Sequence, residues 1–230
     1  MHPAVALMLS YVSGSIPAAW LAGKWRGVDL RAHGSGNLGA TNVLRVLGPG
    51  IGAAVFVIDI AKGALPVYFL APMTGMAGNT LVAVQLLCGV AAILGHARPV
   101  FIGFNKGGKG VATSCGVFLA VAPLETALSL LTFAVVVIAS GYVSLASLAG
   151  AFALPVMLAA SFGARSFLFP VGVLTLFFVT FTHRGNIERL RAGRELRFER
   201  MAKRGIVPSV LLGLLVIAAA AAWLATRAVA

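Results

Sequence analysis

From Val111 to Thr182 the sequence is almost unbroken apolar residue after apolar residue. Polar punctuation comes only at Pro123-Leu-Glu125, Ser140-Gly-Tyr142 and Phe162-Gly-Ala-Arg165. A helix that crosses a bilayer needs about 20 mostly apolar residues, and the three breaks divide this stretch into segments at 110–122, 124–140, 143–161 and 166–182, the first of them short. Further apolar segments lie at 3–22, 51–71 and 79–95, and a last one at 206–226. Only 10% of the residues are charged and 60% are hydrophobic, against roughly 25% charged in a soluble domain. There is too little polar surface to cover a water-soluble globule. The expected architecture is all-α: a polytopic membrane helix bundle with a seven-helix core in residues 1–205 and an additional C-terminal transmembrane helix in 206–230.

The charges are lopsided, with 18 Lys and Arg against 6 Asp and Glu. A balance of this kind in a soluble chain would suggest nucleic acid, but here the cations sit in short segments between apolar spans, so no nucleic-acid partner is expected. If every span crosses, 15 of the 18 fall on one side: Lys24, Arg26, Arg31 and Arg45, then Arg98, Lys106 and Lys109, then the run from Arg184 to Arg204. The positive-inside bias places those segments in the cytoplasm and the N-terminus outside. Met1 to Ala22 lacks the charged start of a signal peptide and reads as a retained first helix. Cys88 and Cys115 are isolated in apolar surroundings, and no metal site or cofactor motif is present. Asp59 and Lys62 lie three residues apart inside the second span, where they can pair on one helix face.

Three polar segments carry the chemistry. The first, His33 to Arg45, offers glycines that let backbone amides approach an anion, together with Ser35, Asn37, Thr41 and Asn42 as neutral hydrogen-bonding groups. Gly36 sits among them, and Arg45 can grip a phosphate with two parallel donors. The second, Gly95 to Thr113, contains Lys106-Gly107-Gly108-Lys109-Gly110 ahead of a helix: two ammonium groups, backbone donors and a helix N-terminus. Its spacing is not that of a nucleotide-binding P-loop. His96 is the only ordinary titratable base there. In the third, Thr182 to Glu195, His183 and Asn186 stand at the mouth of a span, and the arginines beyond Gly193 read as lipid-facing anchors. Cations, amides and a histidine with hardly any acid suit substrates that bring their own negative charge, as phosphates do, at up to about −2 each.

These segments resemble the signatures of the PlsY family of membrane acyltransferases. Gly34-Ser-Gly-Asn-Leu-Gly-Ala-Thr-Asn-Val-Leu-Arg45 is similar to its first motif, and Gly95-His96 with Pro99-Val-Phe101 and Lys106 to Thr113 to its second. His183-Arg, Asn186-Ile, Arg189-Leu, Gly193 and Glu195 resemble the third. Gly14-Ser-Ile-Pro17 and Asp59 with Lys62-Gly63 are also similar to family patterns. Asn105 adds one residue before the lysine run, Thr182 stands where the family often has Arg, and the span at 206–226 lies beyond the usual seven helices.

The resemblance implies transfer of a fatty acyl group from acyl phosphate to the primary hydroxyl of glycerol 3-phosphate, giving lysophosphatidic acid and phosphate at the first step of phospholipid synthesis. It implies a bacterial inner-membrane enzyme working among membrane lipid, with no cofactor and no obligatory protein partner. Carried over, Ser35, His96 and Asn186 are the expected catalytic positions. Gly36, Asn37, Thr41, Asn42, Arg45, Lys106, Gly107, Gly108, Lys109 and His183 are the expected substrate-binding ones. Direct attack on the activated donor needs no covalent intermediate, and no Ser-His-Asp triad can be assembled. His96 or a phosphate oxygen of the substrate takes the proton. A thioester donor stays open on sequence chemistry. A phosphate transporter is disfavoured, because its site would sit near the midplane between repeats and no repeat is present.

Overall fold

The computed structural model describes residues 1–198 and 206–229, and every one of its longer elements is helical. Six helical stretches are long and apolar enough to cross a membrane, or seven if one bent pair counts as a single span. Large apolar side chains face outward along them: Ile138, Leu174, Phe177, Phe181 and Leu215 are each more than 60% exposed. In water that surface would aggregate; in lipid it is solvated. The chain is an integral membrane helix bundle.

The described contacts divide it into two compact units, Met1–Val121 and Ala122–Ala230. In the first unit α1 (Pro3–Gly14) and α2 (Ala18–Trp25) form one span broken at Ser15-Ile-Pro17. Pro17 has no amide proton to continue the helix and pushes Ile16 out of the helical region. A short amphipathic α3 (Ala40–Leu47) follows, then α4 (Pro49–Leu65), which opens on a proline at its first position. Pro66 turns α4 into a π-type turn at Pro66–Leu70, closed by the amide of Ala71 on Pro66 O at 3.1 Å. The helix α5 spans Gly78–Ala97 and α6 spans Val111–Val121.

Small residues bring these helices together. A Cβ on Gly14 would strike the carbonyl of Ala92 and one on Gly95 that of Tyr11, so α1 and α5 pack backbone to backbone. Gly63 against Thr113 and Gly116 against Ile60 do the same for α4 and α6. The Tyr11 hydroxyl donates to Arg98 O just past the end of α5.

The second unit holds α7 (Pro123–Ser140), α8 (Val143–Phe162), α9 (Leu168–Thr182), α10 (Arg184–Arg191) and α11 (Ile206–Val229). Pro123 occupies the first position of α7 and Glu125 its first turn, where the helix dipole favours a carboxylate. Three hydroxyls inside the spans return to their own helix: Ser129 to Glu125 O at 2.9 Å, Ser147 to Val143 O at 2.9 Å, Thr175 to Val171 O at 2.8 Å. No donor of theirs is left facing hydrocarbon. Helices α8 and α11 share a core of Ala153, Met157, Ile217, Ala220 and Leu224. At His183, α9 and α10 meet in a 60° bend.

The segment that is short in sequence is short in the structure too. The segment at 110–122 yields only the 11 residues of α6, about 16 Å of helix against a hydrocarbon core of roughly 30 Å. Gly110, at φ +81°, turns the chain just before it, and Pro123 starts a new helix just after it. Arg200, Lys203 and Arg204, counted in the basic run, lie outside the described residues, as does the expected boundary at 205.

Candidate active site

The first polar segment is a loop tied around Asn42. This residue sits in the first turn of α3 and is completely buried. Its amide nitrogen donates to Leu30 O at 3.0 Å and His33 O at 3.1 Å, and its oxygen accepts the Ser35 amide at 2.8 Å. Both donors of Asn42 are consumed by the loop, so it shapes the site and presents Ser35 rather than reaching a ligand with its own N–H groups. Gly34 has φ +60°, and a Cβ there would overlap the Asn42 oxygen, so glycine is required twice over. Ser35, Thr41 and Arg45 are half-buried and Gly36 is exposed; Asn37 keeps its side-chain oxygen buried without a hydrogen-bond partner. Helix geometry leaves the first-turn amides, Ala40 and Thr41, without intrahelical acceptors, which makes the start of α3 an anion-accepting end. Beside this loop opens a cleft of about 470 Å³ lined by Trp20, Lys24, Asp29 and Arg31, with the Lys24 ammonium 5.4 Å from the Trp20 ring centre.

The second segment corrects an expectation. The Gly107 and Gly108 amides, read from sequence as phosphate donors, are already committed: they donate to Ala97 O at 3.0 Å and His96 O at 3.2 Å. They finish the C-terminus of α5, whose last carbonyls need partners. A Cβ on Gly107 would run into His96 O and Pro99, and one on Gly108 into the His96 ring. These glycines serve close packing on His96. Lys106 is exposed and Lys109 half-buried, and the first-turn amides of α6, Val111 to Thr113, are the donors that helix geometry leaves over.

His96 itself is 5% exposed. Its Nδ1 lies 3.5 Å from Asp59 Oδ1, within range of charge attraction but too long for a formed hydrogen bond, and that nitrogen has no hydrogen-bond partner. Asp59 also holds Lys62 Nζ at 2.8 Å, and Lys62 donates to Ile16 O at 2.8 Å in the break between α1 and α2. The ion pair expected within the second span therefore exists, and it extends to His96. These residues border a narrow pocket of about 10 Å³, room for about one water.

In the second unit, His183 is buried and bonds Val179 O through Nδ1 at 2.8 Å. A neutral ring so held carries its proton on Nδ1 and keeps Nε2 as an acceptor. Asn186 lies on α10, 6% exposed, and donates to Glu195 Oε1 at 2.6 Å, while Arg189 Nε donates to Glu195 Oε2 at 2.8 Å. Glu195 is thus the residue that aims Asn186. From sequence Glu195 reads as part of the third motif but is given no role at the site; it is one of three glutamates among the arginines there. Arg197, read as a lipid anchor, instead donates to Ser140 O at 2.9 Å and lies over the Tyr142 ring, and the Phe198 amide bonds Gly141 O at 2.9 Å. The segment after α10 clasps the α7–α8 turn. Close by in sequence, the buried Ser144 hydroxyl lacks a partner. Among the described residues no group of His, Cys, Asp and Glu could hold a metal ion.

Residues 4–193, which take in the first two polar segments and the third as far as Gly193, match the family model described as glycerol-3-phosphate acyltransferase. The chain belongs to that family. Among the relatives of this acyltransferase are the glycerol-3-phosphate acyltransferase of Fusobacterium nucleatum, 43% identical over 84% of this chain and 96% of its own length. That of Geobacter sulfurreducens is 43% identical over 86% and 99%. The fold is similar to a crystal structure of PlsY (YgiH), an integral membrane glycerol 3-phosphate acyltransferase in its glycerol 3-phosphate form. The TM-score is 0.78 and the identity 38%, over 85% of this chain and 95% of that one. In the lysophosphatidic acid form the figures are 0.76 and 35%, over 91% and 98%. An enzyme of this family has here a chain that reaches past the family match, through α11.

Proposed function

We propose that this acyltransferase moves a fatty acyl group from acyl phosphate to the primary hydroxyl of glycerol 3-phosphate, releasing lysophosphatidic acid and inorganic phosphate. The observation that carries the reading is that the family match runs in order through Ser35, His96 and Asn186. The hydroxyl oxygen bonds the acyl carbon, the bond from that carbon to the phosphate oxygen breaks, and the hydroxyl proton goes to phosphate. Because the donor is already activated, the protein's work is orientation and charge neutralisation.

Arg45, Lys106, Lys109 and the first-turn amides of α3 and α6 take the phosphate charge. Ser35, presented by Asn42 with Gly36, Asn37 and Thr41 around it, and Asn186 with His183 orient the acceptor or the carbonyl oxygen. The burial of His96 against Gly108 favours a phosphate oxygen as proton acceptor, whose second pKa is about 6. The catalytic core is residues 1–205, and 206–230 forms an additional transmembrane helix. The enzyme sits in the bacterial inner membrane among its lipid products, with the N-terminus outside and the three polar segments cytoplasmic, an orientation supported by the cation bias. It needs no obligatory protein partner and no cofactor.

The test is an assay of the purified protein with glycerol 3-phosphate and palmitoyl phosphate, following phosphate release and lysophosphatidate, with palmitoyl-CoA in parallel. Equal amounts of both products from palmitoyl phosphate are expected. Acylation from the thioester alone would overturn the donor. Uptake of labelled glycerol 3-phosphate into proteoliposomes without turnover would overturn the enzyme in favour of a transporter.

A further inference from the structure

Two charges inside a membrane helix are costly enough to need a use. Asp59 and Lys62 are 2% and 4% exposed, and neither is placed to meet a substrate directly. Lys62 could satisfy Asp59 without any third partner, yet the same carboxylate oxygen also faces His96 Nδ1 at 3.5 Å. On its other side the His96 ring, at Nε2 and Cε1, fills the space where a Gly108 side chain would be, and the His96 carbonyl accepts the Gly108 amide. One chain of contacts therefore runs from the helix break at Ile16 through Lys62, Asp59 and His96 to the glycines that separate Lys106 from Lys109.

We propose that Asp59 and Lys62 are positioning residues for the lysine loop, acting through His96 as the seat of that loop. The carboxylate, steadied by Lys62, fixes the ring; the ring fixes Gly108; and Gly108 sets where Lys106 and Lys109 meet phosphate. This rests on the acyl-transfer reading above.

Initial rates of the full-length protein against both phosphate-bearing substrates test it, with elution profile and thermal midpoint as checks on folding. Asp59→Asn combined with Lys62→Met removes both buried charges together and leaves neither stranded. It is expected to raise KM for at least one substrate by about tenfold while kcat changes by less than about threefold, the pattern of weakened phosphate binding. Gly108→Ala is expected to lower kcat/KM by at least about tenfold, and adding His96→Ala is expected to recover part of that loss, because the ring it collides with is gone. His96→Ala alone should keep the pH dependence of kcat. Wild-type KM values in the folded Asp59→Asn, Lys62→Met protein would overturn the positioning role. So would a His96→Ala protein that loses kcat and stays inactive when Gly108→Ala is added. Should the charge-free protein fail to fold, the Gly108 and His96 cycle decides alone. Absence of turnover in the wild type would remove the acyl-transfer reading and this proposal with it, whereas normal wild-type turnover with unaffected variants removes the proposal only.

Discussion

Asn42 and Glu195 do the same work in two places: each is buried, and each spends its side chain on holding another functional residue. Replacing Asn42 by Ala leaves the buried Leu30 carbonyl and the partly buried Ser35 amide and His33 carbonyl without their partner. A loss of about 2–4 kcal/mol is expected, read as a lower thermal midpoint together with a drop in kcat/KM. Asn42→Asp should do no better, since a carboxylate cannot donate to Leu30 O or His33 O. Glu195→Ala should depress activity as much as Asn186→Ala, while Glu195→Gln, which keeps an acceptor for Asn186, retains most of it. Steady-state rates of the three variants in parallel check this order. Sequence made the residue types legible here, because glycines, amides and cations in a chain poor in acid point to phosphate. It did not reveal that Asn42 is turned inward or that the Gly107 and Gly108 amides are consumed by α5. Hydrogen-bond direction depends on which neighbouring carbonyls are left over, and that is decided by the fold.

At the level of elements, the bundle of the first unit depends on glycine pairs that let α1 meet α5 and α4 meet α6. Gly116→Leu puts a side chain into the Ile60 carbonyl and is expected to cost about 1–3 kcal/mol or more, seen as earlier thermal unfolding and greater trypsin sensitivity. An equal change at Gly50 on α4, where a side chain would meet nothing, should be tolerated. The apolar runs announced nearly every helix, since bilayer thickness sets a length that a sequence must meet. At 110–122, a segment already short in sequence, they left open that Gly110 and Pro123 confine α6 to three turns. They also missed the 60° bend at His183, where a span ends and a polar helix begins without a loop.

For the molecule as a whole, the match to the family ends at residue 193 while α11 packs on α7 and α8. A chain truncated after residue 205 is expected to keep its specific activity and lose thermal stability, since Ala153 and Met157 become lipid-exposed; activity and melting in the same detergent decide it. Substrates with up to two negative charges each should also bind more weakly as salt rises, with KM increasing between about 50 and 500 mM because the Debye length shortens. Lys24→Cys should react with an impermeant maleimide only in inside-out vesicles, and Arg165→Cys only in intact cells. The membrane class was written in composition; the division after Val121 was not, because nothing in the local sequence marks that change of partners.

Since the ring of His96 fills the volume that a side chain at position 108 would take, the two sites share one parcel of space. A lineage that keeps the ring is locked to glycine at 108. A side chain there becomes less costly only after the ring has shrunk, with the Leu38 carbonyl still close by, so the two replacements have a preferred order, and the route that begins with Gly108→Ala is the harder one.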